Sequence, residues 1–137
     1  YLTYTHSTLF NQEINELWVE TLNQYPERAE KIDAFVSRFA RLQDYIGNKL
    51  FPVFAQLYEE KNNSLLDTLL FAERIGWIES AEYFVVLRRL RNQLVHEYIN
   101  STEIFLNALL IAQQGTLVLC NIVHTMENTA KELNLQT

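Results

Sequence analysis

The sequence predicts an all-α fold, a bundle of four or five antiparallel helices with up-down connections. The 137 residues include only three Gly and two Pro, too few for a turn-rich β sandwich. Leu, Ala, Glu and Gln are abundant, and these residues lose little rotamer freedom in a helix. Apolar residues recur at helical spacing, and no useful length of chain alternates with a period of two. We expect a single domain, residues 1–137, whose core needs no disulfide or metal.

Apolar spacing and two prolines define the helices of the first half. Residues 8–24 are expected to form a first helix, since Leu9, Ile14, Trp18 and others recur at helical spacing. A second helix is expected over residues 26–47, because proline fits the first helical turn, where its missing N–H is not needed. Pro52 predicts a kink or a break, after which residues 54–60 continue helically.

The second half contains three further predicted helices, each opened by a polar residue. They are Leu65–Ile75 after the polar turn 61–64 and ended by Gly76, a helix starting at Ser80, and a long helix from Ser101 to about Leu133. The segment 100–103, Asn-Ser-Thr-Glu, is typical of a capping box.

Charge and cysteine content limit the partners and the compartment. Eleven Lys and Arg against seventeen Asp and Glu give a formal charge of −6. An acidic protein repels a phosphate backbone at long range, which disfavours broad nucleic-acid binding but leaves a local basic site open. Cys120 is the single cysteine, so a reducing, cytoplasmic location is expected. The sequence starts at Tyr1 and shows no basic-then-apolar signal pattern.

The stretch 104–123 is the most apolar part of the chain. Asn107, Gln113, Gln114 and Asn121 interrupt it, and unpaired amides are costly in lipid. We therefore expect a buried helix and no membrane partner. Gly115 costs about 1 kcal/mol relative to alanine in mid-helix. We expect another helix to approach closely there, within the chain or across a dimer.

The chemistry-bearing segment is Arg91-Asn92-Gln93-Leu94-Val95-His96-Glu97-Tyr98. Arg91 can form bidentate hydrogen bonds to a phosphate. His96 can take or give a proton near neutral pH. Asn92 lies four residues before His96 and could orient the imidazole or a substrate. These groups could cleave RNA without a metal, because a base can deprotonate a ribose 2′-OH that then attacks the adjacent phosphorus.

Helix geometry sets a condition on that site. Five residues rotate by about 140° in an ideal α-helix, so Arg91 and His96 do not point the same way on a straight helix. The helix therefore unwinds near His96, or a twofold dimer brings two copies of the motif to one cleft. We favour the dimer.

The motif resembles the Arg-x4–6-His signature of the HEPN superfamily, and more narrowly the Arg-Asn-x3-His-x-Tyr form of HepT-type proteins. The resemblance is clear over residues 65–105, where the segment 69–78, Leu-Leu-Phe-Ala-Glu-Arg-Ile-Gly-Trp-Ile, precedes the motif helix. It implies a HEPN-like bundle and a dimeric, metal-independent ribonuclease toxin without a cofactor. It further implies pairing with a small nucleotidyltransferase antitoxin of the MNT type.

The resemblance also assigns roles to residues. Arg91 and His96 would be the catalytic pair, and Tyr98 would be the residue that the transferase adenylylates. We expect Asn92 and Arg88 to position the substrate. Relatives described as substrate-binding subunits of the transferase leave a non-catalytic binding module open, since binding and cleaving RNA use the same groups. A purely structural dimer would need no such motif.

Each candidate residue also has a structural interpretation. His96 could be a helix-end histidine satisfied by a carbonyl, Arg91 a surface ion pair with Glu97 or Glu82, and Tyr98 a packing residue. Arg88 and Arg89 could be solvated charges. The charged stripe of Arg38, Arg41 and Asp44 favours solvated salt bridges, although it could line a cleft. Cys120 and His124 favour core packing over half a metal site, and His6 is expected to be an inert tail residue.

Overall fold

The computed structural model of the chain describes residues 1–60 and 64–133, except the side chains of residues 95–100. Throughout this described part the regular structure is helical, so the all-α class is confirmed. The elements are α1 (Leu2–Leu9), α2 (Glu16–Glu20), a 3-10 turn (Leu22–Gln24), α3 (Pro26–Tyr45), a π turn (Ile46–Leu50), α4 (Phe51–Leu57), α5 (Leu65–Ile75), α6 (Ala81–Asn100) and α7 (Thr102–Glu132).

The first predicted helix, residues 8–24, is wrong. The chain leaves helical geometry after Leu9, and a second short helix begins after Asn15. Asn15 has extended backbone angles, and its side chain accepts a hydrogen bond of 2.9 Å from the Trp18 backbone N–H. Gln12 accepts another from the indole N–H of Trp18. Asparagine stabilises a helix start more than a helix interior, so the chain breaks here although its apolar spacing continues.

Pro52 does not break the second helix, so of the predicted kink or break the break is wrong. Helical structure continues from Pro26 to Leu57, and the π turn ends two residues before the proline. A proline inside a helix removes one hydrogen bond and crowds the carbonyl four residues earlier, whereas a π turn widens the helix at those residues. Gly47, the predicted helix end, is buried in this turn, where an added Cβ would lie 3.3 Å from the Phe84 ring.

The three later helices begin and end close to the predicted residues. Ser64, Ser80 and Ser101 each accept a hydrogen bond from the backbone N–H three residues ahead. Gly76 ends α5 with a φ of 92°, the left-handed conformation that favours glycine. The capping box at 100–103 is wrong in register, because Ser101 is the cap and Glu103 stands at the second helical position instead of the third. Residues 61–63 of the predicted turn lie outside the described residues.

The core is formed mainly where α6 packs on α7 and both helices meet α3. Five phenylalanines are almost fully buried: Phe35, Phe39, Phe51, Phe84 and Phe105. Gly115 of α7 faces α6, and an added Cβ would lie 2.6 Å from Leu87 Cδ2. The predicted close approach is therefore confirmed, and it occurs within the chain.

Helix α7 is long and apolar enough, by length and composition, to cross a membrane. The mean hydropathy of its most apolar window is 1.5, and 39% of that window is buried in the chain. The core helix of a soluble protein passes the same test, so the cytoplasmic location stays a prediction.

Candidate functional site

A cleft of about 530 Å³ opens between α3 and α6, and we call it the α3–α6 cleft. Its polar lining consists of Asp33, Ser37, Arg41 and Asp44 from α3 and Arg91 from α6. Its apolar lining consists of Ile32, Val36, Ala40 and Leu94. The volume falls in the range of small-molecule sites.

The Arg91 guanidinium is held at this cleft by a carboxylate of the neighbouring helix. Its Nη1 donates a hydrogen bond of 3.0 Å to Asp44 Oδ2. The Arg88 Nη1 lies 3.9 Å from the other carboxylate oxygen. Arg91 keeps 52% of its side chain exposed, so much of the guanidinium remains open to a ligand. An ion pair this exposed contributes only about 0–1 kcal/mol, and a phosphate could replace it at small cost.

The pairing of Arg91 with Asp44 differs from the sequence-based alternative of Glu97 or Glu82. The exposed Glu82 lies on α6 itself, and the side chain of Glu97 lies outside the described residues. Asp44 is 47 positions away along the chain. Sequence spacing within one helix therefore could not identify this partner.

The other motif residues continue along α6. Asn92 is exposed, on the turn that also carries Arg91. His96 and Tyr98 lie in the last two turns of α6, and their side chains are outside the described residues. Helix α6 continues to Asn100, so the predicted unwinding near His96 is wrong. Ser101, which caps the start of α7, directly follows α6, so the whole motif lies within α6.

The charged stripe on α3 is divided between two environments. Arg41 and Asp44 line the α3–α6 cleft, as the second interpretation of the stripe allowed. Arg38 instead binds α1, donating hydrogen bonds to the Thr5 hydroxyl and to the Tyr1 carbonyl. It is therefore a tether for the N-terminal helix and not a solvated charge.

Two cleft residues, Asp33 and Ser37, were missed by sequence reasoning. They precede Arg41 by eight and four residues, so they belong to the same helical face. Extending the stripe towards the N-terminus of α3 at this spacing would have found both.

Two side chains beside the cleft residues contain buried polar atoms that have no hydrogen-bond partner among the described residues. Gln43 is fully buried, and neither its amide oxygen nor its amide nitrogen is bonded there. Arg88 Nη1 is also buried without a hydrogen bond, since Asp44 lies beyond bonding distance. Gln43 lies on the buried face of α3 with the apolar residues of that helix. A search for apolar residues at helical spacing passes over a polar residue, so it could not identify Gln43 as buried. Such orphaned groups are rare in folded proteins and favour an occupant or a functional role nearby.

Of the remaining candidates, His6 and Cys120 contact other helices, whereas the core packing expected of His124 is wrong because its side chain is exposed. His6 is not an inert tail residue, because it lies in α1 with its Nε2 3.0 Å from the carbonyl oxygen of Gln113 in α7. Cys120 is half-buried with its Sγ 3.9 Å from the Thr3 hydroxyl, whereas His124 is exposed. Among the described residues, no three His, Cys, Asp or Glu side chains are grouped so that they could hold a metal ion.

No protein-family model, curated protein or solved structure was found to match this chain. The resemblance to the HEPN superfamily therefore remains a prediction that rests on residues 65–105.

Proposed function

We propose that this chain is a metal-independent endoribonuclease, the toxin of a HEPN/MNT toxin–antitoxin pair, with a HEPN-like up-down helical bundle. The observation that carries the proposal is the position of Arg91. The arginine that the motif marks as catalytic lines a cleft, half exposed, and its guanidinium is oriented by Asp44 from another helix.

The proposed reaction uses two groups. His96 takes the proton of a ribose 2′-OH, and the resulting oxygen attacks the adjacent phosphorus while the bond from phosphorus to the 5′-oxygen breaks. Arg91 stabilises the negative charge that develops on the phosphoryl oxygens. The departing 5′-oxygen takes the proton back from the His96 imidazolium, and the products are a 2′,3′-cyclic phosphate and a 5′-hydroxyl end. Side chains carry out the proton transfers and the charge stabilisation, so the proposed reaction uses no metal. Asn92 and Arg88 position the RNA.

The proposal includes a homodimer. Because α6 is continuous, positions 91 and 96 are separated by about 140° around one helix axis. Because the helix does not unwind to bring the two side chains together, its continuity supports a twofold dimer that joins two copies of the motif. A sedimentation mass near that of one 16.1 kDa chain at micromolar concentration would refute it.

The proposed antitoxin is a small nucleotidyltransferase that modifies Tyr98 in the cytoplasm. Tyr98 lies seven residues after Arg91, on the same face of α6. Adenylylation of Tyr98 would add a negatively charged phosphate to the motif helix, and this charge would compete with RNA for Arg91.

The test compares wild type with His96→Ala and Arg91→Ala by growth on expression and by cleavage of purified RNA in EDTA. Loss of a general base reduces the rate by about 10²–10⁴-fold, and loss of a charge-stabilising donor by about 10²–10³-fold. Arg74→Ala is the matched control, because this exposed arginine of α5 pairs with Glu60 and does not line the cleft. Wild type that neither slows growth nor cuts RNA would refute the proposal, and cleavage lost only in EDTA would refute its metal independence.

A second function is supported by the cleft volume of about 530 Å³, which suits a single nucleotide. In that case the chain is a non-catalytic substrate- or nucleotide-binding subunit of a minimal nucleotidyltransferase. Calorimetry with ATP distinguishes the two functions. Binding that Arg91→Ala abolishes, together with no RNA cleavage by wild type, would favour the binding subunit.

A further inference from the structure

A second arginine faces the α3–α6 cleft from the helix opposite Arg91. Arg41 belongs to α3 and lines the same cleft as Arg91 of α6. It precedes Asp44 by three residues, so it lies on the same helical face one turn away from the carboxylate that orients Arg91. The two helices thus each contribute one arginine to the lining of the cleft, and Arg41 also borders a second pocket beside Arg38.

Arg41 differs from Arg91, the other arginine that lines the cleft, in having no competing partner among the described residues. Of the seven arginines in the chain, five are engaged with a carboxylate, a hydroxyl or an aromatic ring: Arg28, Arg38, Arg74, Arg88 and Arg91. Among the described residues, Arg41 and Arg89 have no such partner. Arg41 is exposed and lines the cleft, whereas Arg89 is exposed on α6 and does not line it.

The charged residues are distributed unevenly along the cleft, and this limits where the phosphates of a bound RNA strand can lie. Asp33 lines the cleft eight residues before Arg41, which corresponds to about 12 Å along the axis of α3. Its carboxylate repels phosphates at that end, while at the other end the two positive charges of Arg41 and Arg91 exceed the single negative charge of Asp44. A bound strand therefore favours a path across α3 and α6 at the two arginines over a path along α3 towards Asp33.

We propose that Arg41 is a substrate-positioning residue that binds a phosphate of the RNA next to the phosphate at Arg91. The proposal rests on the function proposed above. The five N–H donors of Arg41 can form a bidentate contact with one phosphate, and this contact places the neighbouring linkage at Arg91. Arg41 does not touch the reacting atoms, so its loss weakens binding of the strand more than it slows the bond-breaking step.

The experiment uses Arg41→Gln and the matched variant Arg89→Gln, which remove the same charge from exposed, unpaired arginines. A short, end-labelled single-stranded RNA is the probe, with cleavage measured on the otherwise wild-type chain and binding measured in a His96→Ala background. We expect Arg41→Gln to raise KM and Kd about 10-fold with little change in kcat. The dependence of log Kd on log salt should lose about 0.7 of slope, the contribution of one phosphate contact on a single strand. Arg41→Lys should recover part of the affinity, because it restores the charge without the planar fork.

The outcomes separate this inference from the proposed function. If wild type cuts RNA and Arg41→Gln affects KM no more than Arg89→Gln, the role of Arg41 is refuted while the ribonuclease stands. If wild type neither binds nor cuts RNA, the proposed function fails and the role of Arg41 fails with it. Thermal unfolding of each variant shows whether a loss arises from unfolding, and Arg41→Lys provides a second, folded variant for the comparison.

Discussion

The contact between Gly115 and Leu87 holds the motif helix against α7, and its replacement tests how tightly α6 is placed. In Gly115→Ala the new Cβ would lie 2.6 Å from Leu87 Cδ2, about 1 Å short of an ordinary carbon–carbon contact. Leu87 is fully buried, and Phe39 lies 3.5 Å away on another side. Overpacking of this kind costs about 1–3 kcal/mol, and alanine regains about 1 kcal/mol of helix propensity. We expect the free energy of unfolding to fall by about 1 kcal/mol.

The same substitution should reverse its sign when Leu87 is truncated. In a Leu87→Ala background the clash is absent and only the propensity remains, so Gly115→Ala should stabilise that variant by about 1 kcal/mol. Urea unfolding of the wild type, both single variants and the double variant measures this coupling. Stabilisation by Gly115→Ala alone, or destabilisation in the truncated background, would refute the steric account of the α6–α7 contact.

Three further substitutions test the site and its supports. Gln43→Met removes one buried amide, whose oxygen and nitrogen have no hydrogen-bond partner among the described residues. The free energy of unfolding in urea should therefore rise by about 1–3 kcal/mol, and a decrease would show that the amide is satisfied. Ser101→Ala removes the cap on the Ile104 N–H and should cost about 1 kcal/mol by the same assay, with Ser101→Asp as the control that keeps a cap. Asp44→Asn removes the carboxylate that competes with phosphate at Arg91. RNA should bind more tightly, while the free energy of unfolding changes by less than about 1 kcal/mol. Weaker RNA binding would contradict the idea that phosphate replaces this carboxylate at Arg91.

Local rules predicted the second half of the chain better than the first. Helix α5 has the predicted bounds, since Ser64 and Gly76 act on backbone groups within one turn of themselves. In the first half, the predicted helix over residues 8–24 was wrong at Asn15, and the break predicted as one alternative at Pro52 does not occur. At Asn15 the apolar spacing of residues 8–24 continues across a real break, so spacing alone could not show where the helix stops. At Pro52 the chain avoids a break through a π turn, which has no sequence signature of its own.

The motif on α6 was visible in the sequence, whereas its surroundings were not. The order Arg-Asn-x3-His-x-Tyr and its helical register follow from the residues alone. Two arrangements of Arg91 and His96 were expected, an unwound helix or a dimer. Because α6 continues past His96 to Asn100, directly before the Ser101 cap of α7, the unwound helix is excluded. That result leaves the dimer as a proposal to be tested in solution.

The sequence by itself determined the helical class, the boundaries of the later helices and the identity of the motif, because each depends on neighbours within a few residues. Only the tertiary structure decided that Asp44 orients Arg91, that Arg41 shares their cleft and that Arg38 does not. Arg38, Arg41 and Asp44 follow one another on α3 at intervals of three residues. Their environments differ because different elements pack against α3 at each position. Contacts between distant segments depend on how whole helices pack, which no spacing within one helix encodes.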